Sequence, residues 1–480
     1  MTEGIKLRSN KRPFFIIIFS LFLSYKSYMK RNKLLRDTLI LTLSSLAIRS
    51  IGLLFSSYTA IRLGAEGTGL LQLVLSVCAF SVSLAGSGIK LSSIRLTVDA
   101  EAKGKSAAHA IRLCFLYAVF PGFIASLSLF AASPFLASLI GHPETAVLMR
   151  LFAFSLPFIS ISCVFSGFFT ASRHADIYSG VQTAEQLTSI LLAMLFLMLF
   201  SPKTPVGCCF AIISAQVFAD IASTFISFLL YLRFRKSGGE GKSKMRELLK
   251  IALPDSVSSC LRSALVTVRE LLVPRTLRQS GQSASQSLGI YGVLQGMALP
   301  VVYFGSCISV SYAALIIPEI ADFKAKNDKK RAEACASNAL RFTFIYALCI
   351  CAAVYFLAPQ IGSLLYPGTN AAFYIRLMAP IIPISYLDTT TDAILKGLGL
   401  QLSSMFFNII EAVICLFMVL VCVPVFGIWG YILMIFTGEI LNFAMSIGKL
   451  SSVLSPAPRR RNKEHYHREY FKPSDKHIEA

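Results

Sequence analysis

From Pro254 to Leu277 the chain reads PDSVSSCLRSALVTVRELLVPRTL, and from Gly289 to Ile320, after a polar break, GIYGVLQGMALPVVYFGSCISVSYAALIIPEI. The two pieces read as hydrophobic spans, yet the first carries Arg262, Arg269 and Glu270. A charge at the bilayer centre costs from roughly 2.5 to above 10 kcal/mol, so such residues face a wet interior or a partner. The second piece is punctuated by Gly292, Gly296, Pro300 and Gly305. Breaks of that kind suit a helix packed closely among others and able to bend there. Charged, cavity-facing helices that flex are what passage of a polar solute through lipid requires.

Composition agrees. Of 480 residues 55% are hydrophobic and only 15% charged, with mean hydropathy +0.65, the profile of an all-α polytopic membrane protein. The net charge of +21 is concentrated before Arg36, after Lys449 and in short loops. That placement follows the cytoplasmic flanks of membrane helices and gives attraction to anionic lipids; nucleic acid is not an expected partner. Most of the twelve cysteines lie inside apolar spans and no pair has zinc spacing, so they read as small core residues, with no metal site. His465, His467 and His477 belong to a charged tail.

Residues 1–36 form a basic segment whose apolar run, Phe14 to Leu23, is too short to span a bilayer. It reads either as an interfacial segment or as residues ahead of a true start at Met29. From Leu34 twelve hydrophobic spans follow, at about 38–60, 69–89, 111–132, 146–170, 178–200, 208–232, 251–273, 289–317, 338–357, 371–395, 401–423 and 427–448. The even-to-odd connections are basic, as at Lys90–Arg112, Arg233–Arg246 and Lys324–Arg331, whereas the opposite ones hold little beyond Arg62, Lys203, Arg275 and Arg278. The positive-inside rule then places both termini in the cytoplasm.

The spans repeat. AIRLCFLYA around Arg112 matches ALRFTFIYA around Arg341, and MRLFAFSLPFIS around Arg150 matches IRLMAPIIPIS around Arg376. Glu185 matches Glu411, and GLLQ from Gly69 matches GVLQ from Gly292. Anchors in the same order with nearly constant offset predict a six-helix unit duplicated. Because six is even, the copies share one orientation and are related by a pseudo-two-fold axis along the membrane normal. The expected organisation is a lobe over 37–232, a cytoplasmic linker 233–250, a second lobe over 251–448 and a basic tail 449–480.

The run Tyr291-Gly292 through Gly296-Met297-Ala298-Leu299-Pro300, closed by Ile317-Pro318-Glu319-Ile320, resembles the stage V sporulation protein B branch of the multidrug/oligosaccharidyl-lipid/polysaccharide (MOP) exporter superfamily. That branch sits with the lipid II flippases and O-antigen-type translocases, and the resemblance covers roughly 34–450. It implies two lobes of helices, alternating access and an amphiphilic or lipid-linked cargo, without fixing which. By resemblance to the lipid II flippases, cavity arginines on the first helix, beside the second and on the helix opening the second lobe correspond to Arg49, Arg95, Arg262 and Arg269.

The chemistry expected of them is plain: a lipid-linked sugar carries a pyrophosphate, and the guanidinium fork matches phosphate oxygens bidentately. The alternative is snorkelling or pairing, Arg269 with Glu270 or Asp255. Asp388 and Asp392, one turn apart, can hold Na⁺ or a proton as coupling ion, or instead mark a helix end with Asp392 paired to Lys396. Glu185, Asp220, Glu411 and Glu439 read as inter-helix hydrogen-bonding acids, and Glu319 as a helix cap. With no Walker lysine and no paired carboxylates in the outward loops, neither ATPase nor glycosyltransferase chemistry is expected, and no cofactor. The expectation is a monomeric flippase of the bacterial cytoplasmic membrane moving an undecaprenyl-diphosphate-linked sugar, its cavity cations in excess of acids. The alternatives are a cation-coupled multidrug antiporter and a non-transporting protein of spore envelope assembly.

Overall fold

The computed structural model describes residues 33–102, 107–172, 174–200, 202, 204–235 and 245–454, with the side chains of 33–45, 175, 247 and 251 excepted. The segment before residue 33 with its Phe14–Leu23 run and Met29, the centre of the linker, Lys203 and the tail beyond Leu454 lie outside the described residues.

Every described element is helical. The first half holds α1 (Lys33–Gly86), α2 (Ile89–Ala102), α3 (Ala108–Ile140), α4 (Thr145–Ala153), α5 (Leu156–Ala171), α6 (Ala175–Phe200) and α7 (Pro205–Phe234). The second holds α8 (Met245–Gln279), α9 (Ala284–Gly292), a π-helical turn (Val293–Ala298), α10 (Leu299–Val302), α11 (Ser306–Ala325), α12 (Lys329–Leu365), α13 (Ala371–Met378), α14 (Ile382–Gly397), α15 (Gln401–Phe426) and α16 (Ile428–Leu454).

Among the described residues eight helices are long and apolar enough to cross a membrane, nine when the bent pair α4–α5 counts as one span. The first of these is two spans folded back at Gly64, whose φ of 69° with ψ of −179° suits a residue without Cβ. The charged α8 and the broken α13–α14 complete twelve, so the protein is an all-α, membrane-embedded bundle of two six-helix lobes. Its outer face agrees: Phe120, Leu127, Phe200, Phe356, Leu364 and Leu402 are all more than two-thirds exposed, a surface that only lipid covers without cost.

The duplication is visible in local structure. In each lobe a short helix precedes a proline-started one: α4 bends by 43° into α5, and α13 passes through a 3-10 turn at Ala379–Ile381 into α14. Arg150 on α4 lies over the Phe130 ring of α3, 5.3 Å from its centroid, and Arg376 on α13 lies 4.6 Å over Tyr355 of α12. Arg150 also donates to Ser133 Oγ at 3.0 Å. Repeat-equivalent arginines thus do the same structural task, anchoring a bent span to its neighbour.

The lobes meet along two seams. The second span, within α1, runs beside α8, with hydroxyls donating to carbonyls of the other lobe: Thr267 to Ser76 at 2.9 Å, and Ser256 to Ser87 at 2.8 Å. The first span packs on the broken eighth one, with Ser56 donating to the Gly296 carbonyl at 3.2 Å. Small residues and hydroxyls are what bring membrane helices close when water-driven burial is absent. At the face carrying the turns at Gly64, Gly281 and Gly368 the seam is tight: a Cβ on Gly292 would lie 2.9 Å from the Gly69 Cα.

Candidate functional site

A cavity of about 510 Å³ lies inside the second lobe, between α8, the broken eighth span, α14, α15 and α16. α8 brings Arg262, Arg269 and Glu270 to its wall, α14 brings Asp388, Asp392 and Lys396, and α15 and α16 bring Glu411 and Glu439. Five carboxylates therefore face three cations. The expected excess of cations is not found in this cavity; the Asp388–Asp392 pair of span ten and the lone acids Glu411 and Glu439 of spans eleven and twelve converge here.

Arg269 does not offer a free charge. Its guanidinium lies 2.8 Å from Glu270 and 3.6 Å from Glu411, with side chains 17%, 7% and 18% exposed. Glu270 is held further by the Tyr291 hydroxyl at 2.9 Å and the Gln295 amide at 3.0 Å, and the same amide donates to Tyr431 at 2.8 Å. Arg269 thus has the paired role, and Glu411 is the repeat-equivalent acid that the second lobe has drawn into an ion pair. A buried pair of this kind avoids the penalty of an isolated charge and fixes geometry.

Asp388 stands differently. One of its oxygens accepts from Asn442 at 2.9 Å, while Oδ1 is buried without a hydrogen-bond partner, as is Asn442 Oδ1. Two unpartnered acceptors in one polar cavity are an unusual cost unless a cation or proton meets them. Asp392, by contrast, accepts from Ser404 at 2.7 Å and lies 3.8 Å from Lys396, so it has the local ion pair that was its alternative reading.

Arg262 is exposed at the rim of this cavity and Arg49 is exposed on the opening span of the other lobe; neither has an ion pair among the described residues. Arg49 Nη1 reaches across the seam to Ser306 Oγ at 3.0 Å and to the Tyr303 carbonyl at 3.5 Å. Tyr303 belongs to the break between α10 and α11, and Ser306 begins α11. Tyr303 also donates its hydroxyl to Glu439 at 3.1 Å. One residue of the break therefore touches the first lobe through its backbone and the acidic cavity through its side chain. Neither Tyr303 nor Asn442 stood out in the sequence; both are polar groups in apolar spans, the only signal they gave.

Arg95 lies exposed on α2, away from the cavity lining. Of the residues read as bending points, Gly296 lies within the π-helical turn, Pro300 is the second residue of the short helix after it, and Gly305 precedes α11 at the second break. Gly292 directly precedes the π-helical turn with helical φ of −63° and ψ of −41°, and its missing Cβ serves the contact with the other lobe. Glu319 is corrected, since it sits inside α11 rather than capping it. All twelve cysteines are free.

Comparison with known proteins follows the same lines. The family model described as polysaccharide biosynthesis protein matches residues 34–324, and the one described as MatE matches 260–421. The chain is 23% identical over 440 residues to Stage V sporulation protein B of Bacillus subtilis (strain 168), covering 89% of this chain and 85% of that one. It is 19% identical to Sporulation protein YkvU of the same organism, covering 88% and 96%. A multidrug resistance MATE family transporter of the MOP superfamily in its outward-facing conformation superposes with TM-score 0.64 at 16% identity, covering 86% of this chain and 95% of that one. A MOP superfamily transporter from Pyrococcus furiosus Vc1 (DSM3638), described as having a binding pocket of reverse polarity that suggests a different function, superposes with TM-score 0.61 at 15% identity, covering 87% and 95%.

Proposed function

Because the chain belongs to the polysaccharide biosynthesis protein family of membrane transporters, we propose that it moves an undecaprenyl-diphosphate-linked sugar precursor across the bacterial cytoplasmic membrane by alternating access. The observation that carries this reading is the pair Arg49 and Arg262. They are exposed cations without a carboxylate partner among the described residues, on the opening helices of the two lobes. A pyrophosphate is the head-group feature that two such forks recognise. The isoprenoid tail stays in lipid, so only the sugar and phosphates need a polar path, and both termini lie in the cytoplasm.

The geometry suggests how cargo and conformation are linked. A pyrophosphate drawing Arg49 to itself removes the contact of Arg49 with Ser306 and Tyr303 and frees the break in the eighth span. Through its hydroxyl Tyr303 reports that change to Glu439 and the acidic cavity, where Asp388 takes Na⁺ or H⁺ as the coupling ion. The π-helical turn and the break at Gly305 are where the eighth span bends as the lobes rock.

A second reading, a cation-coupled multidrug antiporter, draws on the acidic balance of the same cavity. The two separate in proteoliposomes holding a fluorescent undecaprenyl-diphosphate sugar. Chain-dependent loss of inner-leaflet probe, abolished in Arg262→Ala, supports the flippase; no movement of that probe by folded chain, together with uptake of organic cations, supports the antiporter.

A further inference from the structure

We propose that the protein carries a second binding site, for a neutral saccharide, on the face opposite its basic loops. A cavity of about 780 Å³ opens there, over the turns at Gly64, Gly281 and Gly368. Its volume falls within the roughly 300–1,000 Å³ of small-molecule sites. It is separate from the acidic cavity and shares no lining residue with it.

The lining decides the class of ligand. Among the described residues it contains no charged side chain; its polar groups are Gln282, Gln286, Thr369, Asn370 and Tyr374. A site without a charged side chain offers no ion pair to a phosphate, a zwitterion or an organic cation. Side-chain amides present donor and acceptor together, the complement of a sugar hydroxyl, which is both. Tyr374, half-buried, supplies an aromatic body for the apolar face of a ring.

Part of the hydrogen-bonding capacity of these amides is not spent on the fold. Gln282 Oε1 is buried without a hydrogen-bond partner, a cost that a ligand donor would remove. Asn370 occupies the N-cap position of α13 but makes no side-chain capping bond. Gln286 uses its carbonyl in the capping box with Ser283, accepting from the Ser283 nitrogen at 3.2 Å, which leaves its NH₂ as a donor.

The cavity is built over the seam between lobes. Ala60, Gly64 and Ala65 come from the first lobe, and Gln282 to Val293 with Pro367 to Tyr374 from the second. A saccharide held there bridges the two and favours the state in which this face is closed. The site rests on the transport reading only for the idea that a sugar reaches this face; its recognition chemistry stands on the lining.

The test uses the purified full chain in lipid nanodiscs with a soluble neutral N-acetylated disaccharide as probe, read by saturation-transfer difference NMR and by melting temperature. The expected result is transfer to the probe and a melting temperature that rises with its concentration. Both signals should fall at least fivefold in Gln282→Ala/Asn370→Ala and in the milder Gln282→Glu, with melting of the unliganded variants unchanged. A uronate-containing disaccharide should give little transfer. Absence of transfer in the folded parent, or transfer that these variants leave intact, would overturn the site. Arg262→Ala should keep the disaccharide signal, so loss of flipping in that variant and loss of this site are told apart.

Discussion

Gly69 and Gly292 occupy the same position in the two repeats, GLLQ and GVLQ, and they touch each other across the seam between lobes. A Cβ built on either one collides with backbone of the other helix: on Gly69 with Leu288 and Gly292, on Gly292 with Ala65 and Gly69. Repeat-equivalent residues in mutual contact mark the pseudo-two-fold axis, so the closed face of the transporter is sealed by a glycine from each half.

That contact predicts a stability cost for the smallest side chain. Gly69→Ala and Gly292→Ala meet backbone atoms, which cannot swing aside, and each should cost about 1–3 kcal/mol, as overpacking does. Gly180→Ala is the control, with nothing within 4 Å of the added methyl and a place on an exposed helix surface. It should be neutral or stabilising. Thermal unfolding of the three in detergent checks the ordering; equal behaviour would dissolve the seam.

How much of this was legible is clearest at those residues. The repeat was readable because Gly, Arg and Pro recur in the same order at a nearly constant offset, and the twelve spans because lipid demands continuous apolar helix. What the residues do was less readable, since it depends on what another helix brings. Gly292, read as a bending point, also closes a seam. The pairing of Arg269 with its neighbour Glu270 was open to a reading of the chain, but its second partner Glu411 lies on another helix, far along the sequence. Asp392 and Lys396, one turn apart, were the easier reading, as local pairs are.

The ion-pair cluster predicts an asymmetry. Arg269→Ala leaves Glu270 and Glu411 unpaired in the lobe interior and should cost roughly 3–5 kcal/mol, as breaking a buried pair does. Glu270→Gln keeps an acceptor for Tyr291 and Gln295 and leaves Arg269 with Glu411, so it should cost distinctly less. Because the sites touch, the double variant Arg269→Ala/Glu270→Gln should fall short of the sum. Additive losses in a denaturation series would contradict the cluster.

Asp388 and Asp392 should separate in their effect on coupling. Asp388→Asn is expected to remove the dependence of transport on an imposed Na⁺ or H⁺ gradient. Asp392→Asn, in a residue already served by Ser404 and Lys396, should retain it. Gradient-driven flipping in proteoliposomes measures this, and retention of gradient dependence in folded Asp388→Asn would sink the assignment.

Tyr303→Phe keeps the ring and the carbonyl facing Arg49 and deletes only the hydroxyl that reaches Glu439. Hydrogen bonds to a charged group contribute about 1.5–3 kcal/mol, enough to matter for coupling without unfolding the bundle. The expected result is preserved cargo binding with transport that no longer responds to the gradient. Loss of binding and coupling together would place Tyr303 at the cargo instead.

The most direct measurement is complementation of a bacterium depleted of its own lipid II flippase, by the full chain and by Arg49→Ala, Arg262→Ala and Arg262→Lys at matched membrane levels. The expected result is rescue by the parent, failure of both alanine variants and weak rescue by Arg262→Lys, whose point charge replaces a fork. Growth of the alanine variants equal to the parent would contradict the role of these arginines. Failure of an abundant, folded parent would remove the peptidoglycan precursor as its cargo in that host.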